Sequence, residues 1–442
     1  MKKLVIVLAV LILAALPALP FVNGILMERT VTGAFENLNQ MYADTGSDMH
    51  IEIIEYDRGL FDTYLECRVN FGSLAGVYGV KDMVLVEKAN HGFLGISSET
   101  SLEKNLWYSD WVKTKLNGKD PLKIRTAYSA TGPIVSTVTM DGFPMETDKT
   151  PLNIGAFEFK VSVDKAFASF TTKGRWEGLV ENETNKMGPV TFEADHTRLT
   201  NLIWAGKGAM SMENFTADED GVSLALSDLS CTYDLTADPD HKKMSMGMGM
   251  NAGNIEFDGR SLSQWSVEWG LNNVDIQAYE GLAKLYYSVL NKYMAQLARP
   301  DLAPEDAGVI VQKAMAGSAP QFIGGLEKLL KKDLEIQVSK LDLELPQGKI
   351  NGSLALGLKQ DVTMAQFLML AAQPDLALDI FSLQSDFSLP LALTGDRQDL
   401  TAPAFPGMKT GLFIREGERL THRAEIRDNK LYLNGQEVVL EF

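Results

Sequence analysis

The chain is short of cysteine, of histidine and of positive charge. Two cysteines in 442 residues exclude a disulfide-dense scaffold and a four-cysteine zinc or iron–sulfur site. Five widely spread histidines leave little for a histidine-rich metal centre. Lys plus Arg is 41 against 58 Asp plus Glu, a formal charge of −17. That balance argues against a nucleic-acid binder, which needs cations to displace phosphate counterions. An acidic body is also repelled by anionic lipid headgroups, which excludes peripheral electrostatic membrane binding. Catalytic motifs are missing too: there is no Gly-x-Ser-x-Gly elbow, no His-Glu-x-x-His, no P-loop and no Gly-x-Gly-x-x-Gly before a helix. Gly72-Ser73-Leu74-Ala75-Gly76 has its serine misplaced, and Asp218-Glu219-Asp220-Gly221 lacks the spaced ligands of a calcium loop. No cofactor and no metal is expected.

What is there begins at the N-terminus. Lys2 and Lys3 precede an uncharged run from Leu4 to Val22, long enough as a helix to approach the hydrocarbon thickness of a bilayer. The two lysines favour a cytoplasmic N-terminus with the rest of the chain exported. Residues 1–26 therefore read as an inner-membrane anchor. The alternative is a cleaved signal that leaves a soluble periplasmic protein. No later stretch is long and uncharged enough for a second span.

Past the anchor, Met27, Val31, Phe35, Leu38 and Met41 recur at helical spacing. A hairpin follows. Its second strand alternates Phe61, Thr63, Leu65, Cys67 and Val69 against Asp62, Tyr64, Glu66, Arg68 and Asn70, the period-two signature of an antiparallel sheet. Similar alternation continues for some two hundred residues, punctuated by turns such as Asp141-Gly142 and Asp258-Gly259. Tyr279 to Leu297 reads as a helix, Pro304 to Ala316 as a second, and Gln321 to Lys332 as a third beyond the break at Pro320. Strands then return, and Thr401 to Gly407 reads as a loop before a closing hairpin around Asp428-Asn429. The expected fold is α+β and strand-rich. Residues 27–276 form a helix and antiparallel sheet, 277–332 a helical insert, and 333–442 a C-terminal continuation of the sheet. No βαβ alternation supports a dinucleotide fold.

Three local patterns stand out: Tyr56-Asp57-Arg58-Gly59-Leu60-Phe61, then Asn90-His91-Gly92, and finally Leu431-Tyr432-Leu433-Asn434-Gly435-Gln436. With the exported layout, they resemble the YdgA-like family of bacterial envelope proteins. The resemblance implies an inner-membrane anchored periplasmic protein, with a homodimer among its partners and no assigned chemistry. The group of AsmA-like envelope lipid-handling proteins is similar by fold analogy alone. The motifs also have structural readings. Gly59 would take a positive φ in a hairpin that also holds Tyr56, Arg58 and Phe61, and His91 with Gly92 would close a strand end.

Met244, Met246, Met248 and Met250 share one face at strand period. They can pack a core, line a pliable groove that admits lipid chains, or bind Cu(I) through their thioethers. Cys67 and Cys231 are either two buried thiols or one disulfide in an oxidising compartment. The leading functional expectation is a non-enzymatic, inner-membrane tethered envelope protein whose periplasmic body binds a lipid, another hydrophobic ligand or a protein partner. The alternative is a periplasmic hydrolase or metal-dependent enzyme with Asp57, Glu66 and Asp82 gathered around His91.

Overall fold

A computed structural model describes residues 18–129, 131–146, 150–219, 221–297, 304–370, 372–373, 375–394 and 411–439. Most of the expected anchor, residues 1–17, lies outside them, as does the loop expected at 401–407. No described helix is long and apolar enough to cross a membrane. The chain divides into two compact units. The first holds residues 1–181, 192–204 and 283–319, and the second 182–191, 205–282 and 320–442.

The first unit opens with helix α1 (Ala18–Asp44). It begins inside the segment read as anchor: Pro20 and Asn23 are already buried in the body. Strands β1 (His50–Arg58), β2 (Asp62–Asn70), β3 (Asp82–His91), β4 (Gly95–Ser101), β5 (Leu122–Ser129) and β6 (Ile134–Met140) pair antiparallel in that order. The short strands β7 (Phe143–Met145) and β8 (Leu152–Ile154) form a side hairpin. β9 (Phe157–Val163) then returns to pair with β6, and β10 (Ser169–Trp176) pairs with β9. β11 (Leu179–Val180) joins β8. After β12 (Lys186–Met187), which belongs to the second unit, β13 (Val190–Arg198) pairs with β10. The one-turn helix α2 (Ala75–Tyr78) and helix α3 (Leu106–Lys115) lie in connections.

The expected alternation on β2 holds. Thr63, Leu65, Cys67 and Val69 are buried because α1 lies on their face. Met27 and Val31 of α1 pack with Leu65, Cys67, Ala89 and Ile96 in one core cluster, flanked by Phe35, Tyr56 and Tyr128. Phe61 does not belong to that row; it sits before β2 and is exposed. Tyr108 and Val112 of α3 pack on Leu102 beside Met83 and Leu85.

The second unit is a longer antiparallel sheet. β14 (Trp204–Glu219), β15 (Val222–Ala237), β16 (Lys243–Phe257), β17 (Arg260–Asp275), β18 (Glu335–Leu345), β19 (Gly348–Leu358) and β20 (Phe381–Pro390) follow one another as neighbours. β21 (Ile414–Glu416) and β20 both pair with β22 (Arg419–Arg427), and β23 (Lys430–Leu433) and β24 (Gln436–Val438) complete the edge. Asp258-Gly259, Asp428-Asn429 and Asn434-Gly435 each put both residues in the left-handed region. A two-residue hairpin turn of matching twist requires that geometry. Between β17 and β18 come helix α4 (Ile276–Leu297) and helix α5 (Pro304–Leu329), whose residues 283–319 belong to the first unit; the short α6 (Met364–Met369) and α7 (Leu376–Ile380) lie between β19 and β20.

The break expected at Pro320 is absent: α5 runs through it as one helix. A proline inside a helix removes one hydrogen bond and kinks the axis, yet the remaining turns are enough to hold it together. One of the boundaries between the two units falls at this proline, between Ala319 and Pro320.

Candidate functional site

The first two of the three motifs converge, and the element they converge on is α1. The Arg58 guanidinium forms an ion pair with Glu28 and lies over the Phe21 ring, 5.2 Å from its centroid. Asn23 donates its side-chain N–H to the Gly92 carbonyl at 2.7 Å. The His91 N–H donates to the Phe61 carbonyl at 2.7 Å, and Nε2 of His91 is 2.8 Å from the Thr63 hydroxyl. His91 is buried and its ring lies against Gly24. A Cβ on Gly24 would stand 2.9 Å from Nδ1 of His91 and closer still to Cε1. The two motifs therefore build a clasp that seats residues 21–28 of α1 on the ends of β1, β2 and β3.

Gly59 departs from expectation in its reason. Its φ is not positive; instead Asp62 crowds it, with Cγ 3.2 Å from the place a Cβ would occupy and Oδ1 nearer. The third motif lies elsewhere, in the second unit. Asn434 and Gly435 form the β23–β24 turn, and the Asn434 side chain accepts from the Arg423 N–H at 2.8 Å and donates to the Gly411 carbonyl at 2.8 Å. That is a structural pin. A second buried pair of the same kind lies nearby, with Nε2 of His422 2.8 Å from the Ser385 hydroxyl.

Under α1 the sheet carries a polar group that sequence reading missed. Glu87 of β3 shares the inner face, accepting from the Ser98 hydroxyl and from the Tyr128 hydroxyl, the latter at 2.9 Å. Among the described residues no cation pairs with it. Burial pushes its carboxyl above the usual range. Burial likewise pushes the neighbouring Cys67 thiol up to about 11 and the Tyr56 hydroxyl up to about 12, with the Glu87 charge adding to both. Glu87 continues the odd-numbered row Met83, Leu85, Ala89, which alternation places inside, but nothing in a lone Glu on a strand marks its burial.

The acids proposed for catalysis do not gather at His91. Register pairs Asp57 with Tyr64 and Asp82 with Asn70, and Glu66 lies between Tyr64 and Arg68 on β2. These are the positions facing away from α1, whereas His91 faces it. Glu66 is bound there by Lys104 and by the Tyr64 hydroxyl. Among the described residues no group of three or more metal-ligating side chains converges. Cys67 and Cys231 are both free thiols, so the bridge left open by the sequence is not formed.

The methionines divide. Met244 is core, 1% exposed. Met246, Met248 and Met250 are half-buried on a broad sheet face. Direct cross-strand partners point the same way, so register alone maps that face. One row runs Gly208, Tyr233, Met248, Trp269, Val338, Leu354, Ser385 from β14 to β20. The row on one side runs from Gly206 through Leu235, Met246, Leu271, Ile336 and Leu356 to Leu383. The row on the other runs from Met210 through Cys231, Met250, Val267, Leu341 and Gly352 to Phe387. No charged residue occurs in the three rows, and Ser385 is their one hydroxyl apart from Tyr233. The face is also open: Met210 is 44%, Trp269 42%, Tyr233 39% and Ile336 49% exposed. The opposite face of the same strands carries Lys207, Asp234, Gly247, Gly270 and Gln337. The four-methionine stretch was visible in the sequence, but the continuity of its face across seven strands depends on register.

No curated protein and no solved structure matches this chain. A family model described as a bacterial protein of unknown function matches residues 1–441. That match covers both units, the clasp on α1 and the open methionine face, and the chain belongs to this bacterial family, DUF945.

Proposed function

We propose that the chain is a non-enzymatic envelope protein that holds lipid acyl chains on the open face of β14 to β20. The observation that carries this reading is the three-row apolar face without a charged side chain. Exposed apolar patches of such extent mark ligand or partner sites. An uncharged face suits an acyl chain, which offers no group to pair, better than a peptide with polar backbone. Half-exposed methionines add flexible side chains that reshape to chains of different form. The N-terminal lysines and uncharged run support a tether in the inner membrane with the body in the periplasm. The ordered motifs shared with the YdgA-like proteins support the same placement.

The test is native mass spectrometry of the full chain, extracted in mild detergent. Co-purifying lipid is expected, and its loss in Met248→Asp and Met250→Asp variants with unchanged circular dichroism. Wild-type protein that carries no lipid but forms a dimer, lost in the same variants, would overturn the reading in favour of a protein interface.

A further inference from the structure

The first unit contains a cavity of about 290 Å³ between the second half of α1 and the far strands of its sheet. Ala34, Leu38 and Met41 of α1 line one side at helical spacing. Phe167, Phe170 and Trp204 line the other. The Phe170 ring stacks on His196 with centroids 4.7 Å apart and meets the Trp204 ring edge-on at 5.0 Å, so this wall is rigid and apolar.

Arg198, at the end of β13, opens into the same cavity. Its backbone N–H is bonded to the Ala168 carbonyl. Arg198 is half-buried, and its guanidinium has no ion pair or hydrogen bond among the described residues. The carboxylate at the end of α1 does not serve it. Asp44 is held by Gln40 at 2.8 Å and Asn201 at 3.1 Å, and those bonds, with the nearby charge of Lys284, hold its carboxyl below the usual range. A cation drawn into an aromatic pocket without a counter-charge is costly. An anion supplied by a ligand removes that cost, and the planar fork of arginine matches a carboxylate with two parallel bonds.

We propose that this cavity takes a fatty acid, its carboxylate on Arg198 and its chain between α1 and the Phe170–Trp204 wall. The size selects one chain: about 290 Å³ is at the lower end of ligand pockets, roughly 300–1,000 Å³, and too small for a two-chain phospholipid. Asn37 and Asn201 also line the cavity; the Asn37 amide can donate to the headgroup, while that of Asn201 is engaged by Asp44. The site shares no residue with the methionine face, so each stands or falls alone.

The experiment is tryptophan quenching of the full chain by 10-bromodecanoic acid, short enough for a cavity of about 290 Å³. Saturable quenching is expected, with one component missing in Trp204→Phe. Arg198→Gln should raise the Kd for the acid about tenfold or more, the size of one lost charge-assisted pair, while the matching brominated alcohol binds variant and wild type equally. Ala34→Phe, which fills the helix side, should abolish binding with circular dichroism unchanged. Equal affinity of the acid for wild type and Arg198→Gln would overturn the proposal. So would full quenching in Trp204→Phe, or binding removed only by Met248→Asp. The equal binding of the alcohol separates a lost charge contact from a misfolded variant.

Discussion

The clasp on α1 makes a prediction that a pair of glycines can decide. Gly24 and Gly33 both lie in α1. Replacing a helical glycine by alanine gains up to about 1 kcal/mol from backbone entropy and propensity, and this gain is common to both sites. Around Gly33 an added Cβ meets nothing within 4 Å, whereas at Gly24 it would stand 2.9 Å from Nδ1 of His91, with Cε1 closer. Real carbon contacts do not come that near, so the ring or the helix must move. The ring is fixed by the Thr63 hydroxyl and the helix by the Asn23 bond to Gly92, and overpacking of this kind costs about 1–3 kcal/mol. Because the helical gain cancels between the two sites, Gly24→Ala should be less stable than Gly33→Ala by that amount. Hydrogen exchange of α1 amides reads the local opening energy, which avoids treating a two-unit chain as two-state. The assignment to His91 is tested by a double-mutant cycle. In a His91→Ala background only Cδ of the flexible Arg58 side chain, 3.1 Å away, is left near that Cβ, so Gly24→Ala should regain most of its deficit, a coupling of about 1–2 kcal/mol. Additive effects, or equal protection in Gly24→Ala and Gly33→Ala, would refute the packing argument.

Two further predictions concern the groups beneath α1. The folded chain holds the Glu87 proton at pH values where the unfolded chain has lost it, because burial raises its pKa; stability therefore falls as pH rises above the ordinary glutamate range toward the raised value. Glu87→Gln should be more stable than wild type at neutral pH and lack this part of the pH profile, measured by urea midpoints from pH 4 to 8. His91 acts oppositely, since burial lowers its pKa and stability is lost as pH falls below about 6.5, so the wild-type-minus-variant difference isolates Glu87. The second prediction is selective alkylation: Cys67 is buried with its thiol raised to about 11, and Cys231 is half-buried on the open face. An apolar maleimide at pH 8 should label Cys231 at least tenfold faster by peptide mass spectrometry, and equal labelling would contradict the open face.

The local chemistry of the strands and turns was legible in the sequence; the contacts between distant segments were not. Alternation at Thr63, Leu65, Cys67 and Val69 reported their shared burial, since a side-chain period of two leaves one choice of face. Asp258-Gly259 and Asp428-Asn429 reported their turns, because few residue pairs tolerate two successive left-handed conformations. Nothing in the sequence joins the motif of Tyr56 to Phe61 to the pair His91-Gly92. Their convergence on Gly24 depends on how α1 crosses the sheet, and a glycine in a helix gives no hint of which ring it makes room for. Pro320 misled for the converse reason: a local rule against proline in helices was overridden by the turns on either side of it.

The open face follows from the same separation of scales. Its rows need aromatic rings to lie flat across the sheet, and the sequence provides glycine where they do. A Cβ on Gly208 would stand 2.6 Å from Cζ of Tyr233, and one on Gly352 2.6 Å from Cε1 of Phe387, each glycine directly opposite its ring. Such pairs smooth the face without adding height, so an occupant can slide along a row instead of sitting in one socket. Covering a side chain like Trp269 or Ile336 completely is worth about 1.5–3 kcal/mol, and these are already half-covered, so each offers about half of that. Association costs at least about 4 kcal/mol in lost freedom. A ligand that touches one or two of these residues is therefore held weakly. Net binding requires an apolar chain that crosses several strands, each about 4.8 Å from the next. On the proposed reading, the breadth of the uncharged rows, more than any one methionine in them, would fit this face to a long chain.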